Sequence, residues 1–91
     1  MCTYQTERLD VSASAKTQSG WTSMTRASVY FDHPVHYLAG HALMIDLLNP
    51  AEGPSARTAI ELSPESARAL ANAILTTLDT VPSELLSELA S

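Results

Sequence analysis

Residues 57–79, RTAIELSPESARALANAILTTLD, decide the fold, because the chain changes its period inside them. Arg57–Leu62 is a short run that reads as a strand. Ser63 then precedes Pro64, the pairing of an N-cap residue with a first-turn proline that starts a helix. Glu65 follows, where a carboxylate favours the positive end of the helix dipole. Ala67, Leu70, Ala71, Ile74, Leu75 and Leu78 recur at a spacing of about 3.6 residues and form one apolar stripe. The helix is expected to stop near Asp79, before Val81-Pro82. Ser83 caps a short last helix with Leu85, Leu86 and Leu89 apolar. A strand followed by a long amphipathic helix therefore closes the chain.

Upstream, the pattern is extended throughout. His41–Leu48 reads as a strand, with Leu43, Ile45 and Leu47 pointing one way and Ala42, Met44, Asp46 and Leu48 the other. Asn49-Pro50-Ala51-Glu52-Gly53-Pro54 is the loop that follows it. Trp21–Asp32 is another strand. Trp21, Ala27, Val29 and Phe31 lie on one face, and Met24, Arg26, Ser28 and Tyr30 on the other. Pro34 closes that strand, since proline cannot donate to a ladder and pushes its predecessor to extended geometry. Gln18-Ser19-Gly20 is a turn. Residues 4–16 alternate, with Leu9, Val11, Ala13 and Ala15 on one face and charged or hydroxyl residues on the other. The order β-β-β-β-α-α predicts an α+β fold. It has a four-stranded antiparallel sheet, most simply a meander, a long helix on one face and a short C-terminal helix. Residues 1–91 form a single domain. The sheet face turned from the helix carries Met24, Tyr30, Ala42, Met44 and Leu48. That set is too apolar for easy solvation, which makes it an expected homodimer surface or the wall of a small-molecule cavity.

Composition narrows the partners. The chain has 91 residues, 45% of them hydrophobic, and a formal net charge of −5. Lys16 is the one lysine among five basic residues. No basic cluster exists to neutralise phosphates, so neither nucleic acid nor an anionic membrane is an expected partner. No apolar run approaches the roughly 20 residues of a membrane span. MCTYQTERLD does not read as a secretory signal, and one cysteine cannot form an internal disulfide. The expectation is a soluble, cytoplasmic, homodimeric protein.

MCTY at residues 1–4, Gly20-Trp21, VYFDHPVH at 29–36 and the SPESAR helix start at 63–68 carry a resemblance. Together they resemble a family of short bacterial proteins of unknown function, best represented in actinomycetes, over nearly the whole chain. The resemblance brings no activity with it. It implies that Cys2 and the DHPVH segment are family features.

The chemistry-bearing residues cluster between the second and third strands. All three histidines fall within nine positions, in Asp32-His33-Pro34-Val35-His36-Tyr37-Leu38-Ala39-Gly40-His41. A hairpin here brings His33 or His36 toward His41. Three neutral imidazoles with an open fourth position suit a zinc, copper or non-haem iron ion. Asp32 or Asp46 would ligate as well, or orient an imidazole. The spacing matches no established zinc signature, so a metal-free acid–base site and a plain turn stay open. His41 shares parity with Leu43 and is expected to point inward. Glu7 shares parity with Leu9 and falls on the apolar face. A desolvated carboxylate near imidazoles is a general-base arrangement, which gives the alternative of a cofactor-independent enzyme using His41 and Glu7. Cys2, exposed as a terminal residue if Met1 is removed, is a candidate ligand or nucleophile. A third alternative is a dimeric interaction module without chemistry. No G-x-S-x-G elbow and no phosphate-cradling glycine loop occur.

Overall fold

The structure, a computed structural model, describes residues 5–34 and 40–88. Four strands form one antiparallel sheet in the order β1-β2-β3-β4: β1 Glu7–Thr17, β2 Gly20–Asp32, β3 Ala42–Leu48 and β4 Arg57–Leu62. Two helices follow, α1 Pro64–Asp79 and α2 Ser83–Glu88. A single 3-10 turn, Pro50–Glu52, lies between β3 and β4. The meander and the boundaries of β4 and α1 match the reading of the sequence. Leu89, expected in the last helix, is outside the described residues.

Local chemistry sets the joints. The Ser63 hydroxyl accepts the Ser66 amide at 3.1 Å, with Pro64 next, so α1 starts where the cap satisfies a donor the helix cannot. Gly20 closes the β1–β2 turn with φ +104°, a conformation in which a Cβ would be strained. Buried Asn49 fixes the β3–β4 connection. Its Oδ1 accepts the Ala51 amide at 3.2 Å, and its Nδ2 donates to the Ser23 carbonyl of β2 at 3.0 Å. Its backbone amide donates to the Ala56 carbonyl, so each of its polar groups has a partner.

The register assigns the faces. Val29 pairs with Ile45, and Ile45 with Ile60; Phe31 pairs with Leu43, and Leu43 with Leu62. Directly paired residues share a face. Val29, Leu43, Ile45 and Leu62 meet Ala67, Leu70, Ala71 and Ile74 of α1 across a groove of about 360 Å³. The helix therefore covers the face that the sequence assigned to it.

Two departures matter. First, the register slips between Asp10 and Ala13, where β1 carries one more residue than β2. This bulge moves Ala13 and Ala15 to the side of Met24, away from Leu9 and Glu7, which stay with Ala27 and Val29. The unbroken face of Leu9, Val11, Ala13 and Ala15 expected from alternation is thus divided. Second, the sheet side away from α1 is the better buried one. Ala15, Met24, Ala42 and Met44 are all buried within the single chain, Met24 to 1% exposure. The open apolar dimer face expected around Met24 and Met44 is corrected: these side chains are core. The sheet also coils enough for its outer strands to approach. The Thr58 hydroxyl of β4 donates to the Lys16 carbonyl of β1 at 3.4 Å.

Met24 is the largest fully buried side chain among the described residues. Met24→Ala should lower unfolding free energy by about 3 kcal/mol, the usual cost of a buried methionine cavity. Denaturant titration checks this, and the transition slope should stay unchanged.

Candidate functional site at the end of the β2–β3 hairpin

The last β2–β3 pair is Asp32 with Ala42. One step beyond it, His33 follows β2 and His41 precedes β3, so the two occupy the next cross-strand position. Their rings meet, with centroids 4.4 Å apart and planes tilted by 39°. On the other side His41 stacks on Phe31 at 5.4 Å and 12°. The three rings form a row on the side of the sheet that faces α1, next to Leu43, which lines the groove. Asp32 adjoins them. Its Oδ1 accepts the His33 backbone amide at 2.7 Å and lies 3.4 Å from His33 Nδ1. The His33 side chain is 71% exposed, and that of Asp32 53%.

This arrangement has a chemical meaning. A directly opposed pair on antiparallel strands has Cβ atoms about 5 Å apart, within which two imidazoles reach one ion. A carboxylate beside Nδ1 favours the tautomer that leaves Nε2 as the free donor. Among the described residues, however, no three His, Cys, Asp or Glu side chains converge as a ready metal cage.

The other sequence candidates are distributed as follows. Glu7 is exposed at the start of β1, opposite Val29. Four positions of β2 separate Val29 from His33, roughly 13 Å of strand. The structure does not bring Glu7 to the histidines. Cys2 and His36 lie outside the described residues. Asp46 points to the opposite face and is already engaged. Its Oδ2 accepts the Tyr30 hydroxyl at 3.0 Å, and its Oδ1 accepts Arg57 Nη2 at 2.9 Å. It therefore does not orient an imidazole.

The Tyr30–Asp46–Arg57 set is a polar group that sequence reasoning missed. Tyr30 and Arg57 are diagonal neighbours of Asp46 on the flanking strands, reachable only once the register is known. Burial, the hydrogen bond to Asp46 and the Asp46 charge push the Tyr30 hydroxyl above its ordinary 10.0, against an opposing pull from Arg57. The folded state thus holds the proton more tightly than the unfolded chain. The resulting stabilisation is full below about pH 10 and is lost as pH rises through the folded value. Melting temperatures measured from pH 9 to 11 should fall less steeply for Tyr30→Phe than for the parent.

Over residues 1–87 the chain matches the model of DUF6295, a family of unknown function, and it belongs to that family. No curated protein and no solved structure is significantly similar to it. Among the described residues no helix is long and apolar enough to cross a membrane.

Proposed function

We propose that this DUF6295 protein binds one transition metal ion at the open end of its β2–β3 hairpin, through His33 and His41. The observation that carries the reading is the cross-strand contact of the two imidazoles, 4.4 Å between centroids, with Asp32 beside His33 Nδ1. His33 is exposed enough for its ring to turn toward His41. Borderline metals that accept imidazole, zinc and copper first and iron after them, suit two nitrogen donors with remaining positions filled by water or a further ligand. Asp32 would hold the His33 ring in place.

Isothermal titration of tag-free protein with zinc and copper should give one site per chain. His33→Ala and His41→Ala should each weaken it at least about tenfold, while Asp32→Asn weakens it less. A histidine ligand must be unprotonated, so affinity should fall on acidification. Zinc should raise the melting temperature of the parent and leave that of His41→Ala unmoved. Absence of heat and of thermal shift with zinc, copper, iron, nickel and manganese at neutral pH would remove the metal reading.

A further inference from the structure

The helix α1 is only half used. Its apolar stripe faces the sheet, yet Ile74 remains 53% exposed and Leu75 61%. Leu70 and Leu78 are exposed as well, and so are Leu9 and Ile60 on the sheet face below. The four helix side chains alone leave several hundred Å² of apolar surface in water, at the upper end of what a monomer usually exposes in one patch. The groove between helix and sheet is open, and its lining is almost wholly aliphatic.

We infer that a second copy of this chain covers this face, with the two α1 helices antiparallel across a two-fold axis near Ala73 and Ile74. Charge placement argues for that occupant. After the first-turn Glu65, α1 carries two charged residues, Arg68 and Asp79. They are eleven residues apart, about three helical turns, so they lie on the same flank of the apolar stripe, beside Leu75. In an antiparallel pair, like flanks meet. A two-fold midway between residues 68 and 79 sets Arg68 of each copy against Asp79 of the other. Neither residue has an ion pair within its own chain among the described residues. The same operation brings Leu75 of the two copies together at the centre with Leu78 beside it, the isologous arrangement of a homodimer. A small core gives a further motive, since a chain of this length buries a limited share of its surface alone.

Sedimentation equilibrium across the micromolar range tests the proposal. The parent should run at twice the 9.8 kDa chain mass. Leu75→Glu should weaken the dimer about a hundredfold by placing a carboxylate at its centre. Arg68→Asp and Asp79→Arg should each weaken it about tenfold, and the double variant should recover most of that loss. These two sites are exposed, so the swap decides the matter even if Leu75→Glu fails to fold. A parent that stays monomeric throughout overturns the proposal. So does a dimer indifferent to both single charge reversals, which would place the interface elsewhere. A monomer that instead takes decanoate into the groove also overturns it and assigns the face to a small apolar ligand.

Discussion

The pairing of β2 with β3 is the constraint on which the rest of the molecule depends. Seven consecutive partners, from Arg26 with Leu48 to Asp32 with Ala42, hold the centre of the sheet. That one register sets Val29 beside Ile45 under the helix, and Tyr30 within reach of Asp46 on the opposite side. It also delivers His33 and His41 to facing positions at the end of the ladder. A slip by one residue would exchange the two faces, turning Met44 out of the core and Asp46 away from Tyr30 and Arg57. Register, site and core are therefore not separable properties here.

The two sides of the sheet reach burial by different means. On the side away from α1, small residues and flexible thioethers fill the space. Ala15 and Ala42 leave room, and Met24 and Met44 occupy it. On the side of α1, half-buried branched aliphatics of the sheet meet the helix across a gap, and the helix leucines and Ile74 stay exposed. The polar network of Tyr30, Asp46 and Arg57 lies on the first side, and the ring row of Phe31, His41 and His33 lies on the second. The histidines thus sit beside the less occupied half of the structure.

Much of this was legible from residue order. Ser63-Pro64-Glu65 marked the helix start because capping is local chemistry, and the structure contains the expected Ser63–Ser66 hydrogen bond. The parities of β2 and β3 held throughout; a hairpin alone brings His33 or His36 toward His41, and the observed register sets His33 opposite it. The β1 bulge was not legible. Leu9, Val11, Ala13 and Ala15 alternate without a break, and only pairing with β2 reveals the extra residue between Asp10 and Ala13. Nor does a pattern of apolar residues say how much of a face its neighbours cover. Met24 and Leu75 are both apolar positions on amphipathic elements, yet one is sealed and the other open. Glu7 was placed on the correct face, but parity gives no distance along a strand.

The bulge also bears on how this sheet avoids polymerising. β1 is an outer strand of eleven residues, long enough to template the addition of foreign strands. Its kink breaks the flat row of free amides and carbonyls, and Arg8, Asp10 and Lys16 place charge along it. The opposite border is β4, which is six residues long and followed at once by the turn into α1. One edge is irregular and charged, and the other is short. A protein with this much uncovered aliphatic surface near its sheet thereby guards both routes by which strands stack into fibrils.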